Sequence, residues 1–421
     1  MTTAQTKLTG PVKVLIVSPV AFIPDGQGSR RRVDQIVTMM KEFEFEVHFL
    51  FVRRDDQYDA DARAMAESLN GKFTELADMK EASMSMPWFF QARVASKLGF
   101  YRFCNIHVDA WYFDEIGLAV RNQVHREHID IVIVEYPFYS KVLGEMSGVV
   151  KVIDMHDVFT DRYKEFLRNG QRPFPWYSVT QTGEQTAINR ADIVIAIQQG
   201  DAEIFRSYGH PAVQTLSYAP NPMQKARTSS SAKLKMCFLG TGNFFNIRAL
   251  EHYLEHIHPA LLAAGITFEF VVIGAVCESF RSLRLEGEIR LLGKVDDLEA
   301  ELQHCDALVN SLSSGTGLPI KVMDALASGL HVLATDAGAR GVPLRHQLRS
   351  INVCAGEQDW IDAVRRLAKM KHDGINLSAM ALSDLATIQN EIDDAKRNLY
   401  ASLLGRLKAL GRDREVSVNP E

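Results

Sequence analysis

Val12-Lys13-Val14-Leu15-Ile16-Val17-Ser18 and, in the second half of the chain, Leu234-Lys235-Met236-Cys237-Phe238-Leu239-Gly240 are two short, nearly unbroken apolar runs. Such runs mark strands buried on both faces of a parallel sheet. Turn formers follow the first run, Pro24-Asp25-Gly26-Gln27-Gly28-Ser29, and then Val33, Ile36, Val37 and Met40 recur at helical spacing. Glu46 to Val52 reads as the next strand, so the chain opens as a βαβ unit. The alternation continues through strands expected at 129–134, 151–154 and 191–196, with a short helix from Asp201 to Tyr208. Residues 217–234, SYAPNPMQKARTSSSAKL, interrupt it with prolines and three consecutive serines, the composition of a linker. From Leu234 the theme restarts, with strands expected at 268–274, 289–292, 307–310 and 331–335. The fold class is therefore α/β, with two tandem Rossmann-like, doubly wound domains. The expected boundaries are 1–220, 233–377, a helical stretch 378–411 and a polar tail 412–421.

Composition supports that reading. The chain has 421 residues, 46% hydrophobic and 24% charged, enough for two cores. A net charge of −5 argues against a general nucleic-acid coat. No apolar run reaches the roughly 18 residues that span a bilayer, and MTTAQTKLTGPVK lacks the apolar core of a secretory signal. Five cysteines, widely spaced and with no CxxC, suit free thiols in a reducing cytosol rather than disulfides or zinc. A cytoplasmic protein is expected, with the inner face of the membrane as a peripheral site.

Open α/β sheets bind ligands at the carboxyl ends of their strands. Two loops stand there. The first, through Gly28, opens a helix and would bring backbone close to an anion, although Arg31 breaks the GxGxxG pattern of dinucleotide binding. The second is Ser313-Ser314-Gly315-Thr316-Gly317-Leu318-Pro319-Ile320-Lys321, which runs from a strand into a helix ended by Gly329, with Pro319 suited to the first helical position. Its helix start favours negative charge, Lys321 adds a full charge, and Asp324 one turn on can accept from vicinal hydroxyls. Phosphate and ribose spaced in this way describe a nucleotide diphosphate. The same residues also fit a glycine-rich turn with a solvated Lys and Asp.

The stretch GTGLPIKVMDALASGLHVLAT resembles the signature of family 4 glycosyltransferases of the GT-B fold. PDGQGSRRRVDQI, IDMHDVFTDRY, NRADIVIAIQQGDAEIFRSYG, FLGTGNFFNIRALEHYLEHIHPAL, FEFVVIG and IRLLGKVDDLEAEL fall in that family's order, from about residue 12 to residue 375. The resemblance implies retaining, metal-independent transfer from a nucleotide-sugar co-substrate with no other cofactor, and a C-terminal helix crossing back to the first domain. It implies catalytic roles for His156, at the donor sugar, and Lys321, at the phosphates. It implies donor contacts from Gly28, Asn243, Asn246, Thr316, Gly317, Leu318 and Asp324, and base recognition through the backbone around Val295. Asp324 matches the ribose-binding glutamate of the E-x7-E element, whereas Thr316 replaces its first glutamate and carries no charge. The loop after Leu239 lacks the family's Arg and Lys, and its asparagines, Lys321 and Arg248 are the candidates to compensate. Partners so implied are the donor and a glycan, lipid-linked or small-molecule acceptor; the net charge argues against nucleic acid, and a peripheral membrane contact rests on residues 84–113. Residues 84–113, with Trp88, Phe89, Phe90, Arg93, Lys97, Phe100, Tyr101, Arg102, Phe103, Trp111 and Tyr112, read either as an interfacial surface or as a helix packed on the core. The core reading is favoured. The departures keep two other readings open, a nucleotide-sugar-binding protein with weakened catalysis and a sugar-nucleotide epimerase.

Overall fold

The computed structural model describes residues 10–23, 28–53, 59–76, 87–173, 177–218, 220–223, 233–282, 287–315 and 317–412. Thr316, and the Gly26–Gln27 part of the first loop, lie outside them. The chain divides into two compact units: Met1–Leu216 with Asp394–Glu421, and Ser217–Asp393.

Among the described residues the first unit holds seven parallel strands: β1 Lys13–Ser18, β2 Glu46–Val52, β3 Phe73–Leu76, β4 Ile131–Glu135, β5 Val150–Met155, β6 Ile193–Ala196 and β7 Val213–Thr215. Their order is β3-β2-β1-β4-β5-β6-β7. The second unit holds six: β8 Leu234–Leu239, β9 Phe268–Ile273, β10 Ile289–Gly293, β11 Ala307–Asn310, β12 His331–Ala334 and β13 Ile351–Val353, in the order β10-β9-β8-β11-β12-β13. Each sheet reverses direction of winding once, between β1 and β4 and between β8 and β11, and so each has one topological switch point. The central strands are buried along nearly their whole length, which is why they read as apolar runs.

One device recurs at the amino edge of both sheets. An aspartate stands immediately before a strand and its carboxylate accepts the amide of the first or second residue of the neighbouring strand. Asp130 holds Lys13 N at 2.9 Å, Asp192 holds Lys151 N at 2.8 Å and Asp306 holds Lys235 N at 2.8 Å. The sequence prints this as Ile-Asp-Ile, Ala-Asp-Ile and Cys-Asp-Ala. Each acid fixes the register of two strands and satisfies an amide that the ladder would leave open.

The C-terminal stretch is one continuous helix, Leu377–Ala409, of 33 residues rather than several. Its residues up to Asp393 belong with the second unit and those from Asp394 with the first. On its later part Leu399, Leu403 and Leu407 are buried at a four-residue spacing, and Tyr400 packs on Phe43 and Phe45, with ring centroids 4.8 and 5.8 Å apart. All five cysteines are buried and free. Among the described residues no helix is long and apolar enough to cross a membrane.

The stretch 84–113 splits. Trp111 and Tyr112 are core, as expected of aromatic residues. Phe90, Phe100 and Phe103 are exposed, against the favoured reading. They sit on and after the helix Pro87–Leu98, whose buried residues among those described are Ala92, Ala95 and Ser96; the side chains of Trp88 and Phe89 lie outside the described residues.

Candidate active site

Each unit gathers polar side chains at the carboxyl edge of its sheet. In the first unit four elements converge. Glu135 ends β4, Asp154 lies near the end of β5, His156 follows β5, and Arg32 reaches in from the helix Gly28–Glu42 after β1. Arg32 and Asp154 are fully buried and paired through two bonds, Nε to Oδ2 at 2.9 Å and Nη2 to Oδ1 at 2.7 Å. The remaining guanidinium donor, Nη1, reaches Leu216 O at 2.8 Å and Gln35 Oε1 at 2.9 Å. His156 Nε2 lies 2.6 Å from Glu135 Oε2 and 3.5 Å from Asp154 Oδ2. Tyr136, at φ +73°, turns its ring flat against the imidazole, 4.1 Å between centroids.

The charge states follow from this packing. Burial alone would raise the Asp154 carboxyl, but the Arg32 guanidinium beside it holds it below the ordinary value. Burial, reinforced by the charge of Asp154, pushes Glu135 well above its ordinary value. Burial lowers His156 to about 4. Beside the Arg32–Asp154 ion pair, burial and the neighbouring Asp154 charge thus favour the protonated carboxyl on Glu135, and His156 is uncharged at neutral pH. The ligating atoms of Glu135, Asp154 and His156 lie within 4.8 Å of one another. Both oxygens of Asp154 are already held by Arg32, which supplies the positive charge a cation would bring, so this donor set does not suit a metal ion.

In the second unit the strand ends come unusually close. Gly274, after β9, has φ +108°, and a Cβ there would lie 2.2 Å from Gly240 O. A Cβ on Gly240 would lie 3.0 Å from the Phe238 ring and 3.2 Å from Asn246. Only glycine permits this approach. Asn243 caps the helix Phe244–His252, its Oδ1 accepting from Asn246 N at 2.9 Å. Asn246 Nδ2 donates to Thr241 O at 3.2 Å and Thr241 Oγ1 at 3.1 Å.

Lys321 completes this group. It stands in the first turn of the helix Ile320–Ala327, which follows β11, and its Nζ crosses to the end of β8. There it donates to Leu239 O at 3.1 Å and to Asn246 Oδ1 at 3.0 Å, 4.9 Å from the centre of the Phe238 ring. The ammonium thus bridges the two strands that part at the switch point, the crevice where such sheets take ligands. Its enclosure lowers it to about 7. The helix itself opens at Ile320. Pro319, at ψ 87°, is the residue before it rather than its first, because that ψ is not helical.

Three of the residues expected at the donor, Asn243, Asn246 and Lys321, therefore form one hydrogen-bonded chain. Leu318 is buried beside the helix start, and Gly317 and Asp324 are half-buried. Val295 is half-buried in the loop after β10, where Asp297 caps the next helix through Ala300 N at 2.9 Å. Gly28 is exposed at the head of its helix. Arg248 turns away to Glu251 at 2.9 Å. Sequence reasoning missed Arg32, Glu135, Asp154 and Tyr136 in the first unit. It also missed the residues that hold the signature loop: Arg340 donates to Gly315 O, and Thr335 Oγ1 donates to Leu312 O while accepting Gly338 N at 3.0 Å.

Residues 234–370 match the family described as glycosyl transferases group 1. The whole chain is similar in structure to a glycosyltransferase from Rickettsia africae ESF-5, with a TM-score of 0.60 over 94% of this chain and 99% of that one at 11% identity. It is likewise similar to Alr3699/HepE of Anabaena in complex with UDP (0.58, 92% and 100%, 14% identity). Sucrose-phosphate synthase from Thermosynechococcus elongatus is a third (0.61, 93% and 100%, 11% identity). The chain has the GT-B fold. At these identities the likeness is one of fold, and no curated protein matches the sequence. Within the GT-B chain the family match covers the Lys321–Asn246–Asn243 group, whereas Arg32, Glu135, Asp154 and His156 lie outside it.

Proposed function

We propose that the protein is a retaining glycosyltransferase, acting without a metal, that moves a sugar from a nucleotide-sugar to an acceptor in polysaccharide or glycan assembly. The observation that carries this reading is the Lys321 ammonium at the switch point of the second sheet, tied to Leu239 and Asn246. The family match over that unit and the UDP and UDP-glucose bound by HepE support it. Breaking the sugar–phosphate bond leaves negative charge on the β-phosphate and positive character on the anomeric carbon. A fixed ammonium, with the backbone amides from Gly317 to the helix start, stabilises the first. Asp154 is held on both oxygens by Arg32, and the buried Glu135 is pushed towards its protonated form, so neither carboxyl is shaped as a covalent nucleophile. That favours front-face retention, with the departing phosphate taking the acceptor's proton. The buried free thiols suit a reducing cytoplasm.

The test is a thermal-shift series with nucleoside diphosphates, followed by turnover of the matching nucleotide-sugar. A ligand at about 100 times its Kd stabilises by about 2.7 kcal/mol, so the right base shows as a clear rise in melting temperature. Lys321→Ala is expected to lower turnover by about 10²–10³-fold, as loss of one preorganised donor does. Unchanged turnover in that variant would refute the role of Lys321. Binding without transfer or hydrolysis would instead mark a binding protein, and a free, altered nucleotide-sugar would mark an epimerase.

A further inference from the structure

The exposed side of the helix Pro87–Leu98, continued by the short turn Tyr101–Phe103, has a composition the transferase reading does not use. Phe90, Val94 and Leu98 recur every fourth residue and so share one helical face within about 80° of arc. Phe90 is 70% exposed and Leu98 65%, while Phe100 and Phe103, which continue past the helix, are 58% and 55% exposed. The opposite face carries the buried Ala92, Ala95 and Ser96. From Phe90 to Leu98 the helix therefore turns its small residues inward and its large apolar ones outward, the reverse of a surface helix that serves only its own core. Every charged residue from 87 to 108 is a cation, Arg93, Lys97 and Arg102, and all three are exposed. Arg93 and Lys97 flank the apolar stripe along one side, and Arg102 lies over the Phe103 ring at 4.7 Å.

We infer that this face docks the protein onto an anionic lipid surface. Five exposed apolar residues, Phe90, Val94, Leu98, Phe100 and Phe103, would enter the boundary between headgroups and acyl chains, and three cations at its rim would meet lipid phosphates. Charge selects this occupant. An isolated apolar patch would suit another protein, but a stripe whose own charged residues, Arg93, Lys97 and Arg102, are all cations, in a chain whose net charge is −5, is complementary to a negative surface. A second copy of the chain would set these cations against one another. The inference does not depend on the transferase reading, because docking needs neither donor nor acceptor.

The test is flotation of the full chain with vesicles of phosphatidylcholine alone and with phosphatidylglycerol added. Binding to the anionic vesicles, weakened by salt, is expected. The double variant Phe90→Ser/Leu98→Ser and the double variant Arg93→Glu/Lys97→Glu should each reduce it by about tenfold or more with the melting temperature unchanged, since all four side chains face solvent. No binding to anionic vesicles overturns the inference, as does equal binding by the variants. Self-association abolished by Phe90→Ser/Leu98→Ser in the absence of lipid also overturns it.

Discussion

Arg32 and Asp154 show how much a single pair can decide. The two side chains are fully buried, 122 residues apart in sequence, and satisfy one another through two bonds. Asp154→Asn leaves the guanidinium without its counter-charge in the interior. It is expected to cost about 3–5 kcal/mol, measured by urea denaturation. Sequence alone did not reveal this pair: Arg32 closes a run of three arginines that reads as a charged first helical turn, and Asp154 reads as one more strand residue. Lys321 was legible because its position in a loop-to-helix signature is local. Its pH behaviour follows from its surroundings. The folded value of about 7 lies below the ordinary 10.5, so between these pH values the unfolded chain binds more protons than the native one. Stability of the second unit should therefore rise with pH across that window, and Lys321→Met should flatten the rise in denaturant midpoints taken from pH 7 to 10. An anion bound beside the ammonium would raise its value again.

Among the elements, the meeting of β8 and β9 is the most demanding. Gly274→Ala puts a side chain at φ +108° and a Cβ 2.2 Å from Gly240 O. The backbone alone should cost about 1–3 kcal/mol, read as a lower urea midpoint, and the displaced Gly240 should loosen Asn246 and weaken nucleotide binding. The central strands were readable because both faces are buried and nearly every residue is apolar. The edge strands β3 and β7 were not: each is short and half-buried throughout, so neither alternation nor an apolar run marks it. β13 has only three residues, too few for a pattern. The helix Pro87–Leu98 was misjudged for a different reason. Aromatic spacing reports a shared face, but not whether that face is turned inward or outward.

For the whole molecule, the discontinuous first unit matters most. Stopping the chain after Asp393 removes Leu399, Leu403 and Leu407 from its packing, and with them the Arg412–Asp130 pair at 2.9 Å. Three buried leucines contribute on the order of 5 kcal/mol. Hydrogen exchange should therefore show the first unit losing protection while β8–β13 keep theirs. The sequence placed a linker near residue 225 and a helix-rich end, but a helix shared between units carries no local mark that says where one share stops. The consequence reaches into synthesis. The first unit leaves the ribosome before the second, yet its last helical segment is translated only after the whole of the second. At about 5–20 residues per second the interval is roughly 10–35 s. For that time Phe43 and Phe45 lack the ring of Tyr400 that packs on them in the finished protein. A nascent chain halted within residues 217–393 should be a substrate for holding chaperones, whereas the completed one should not.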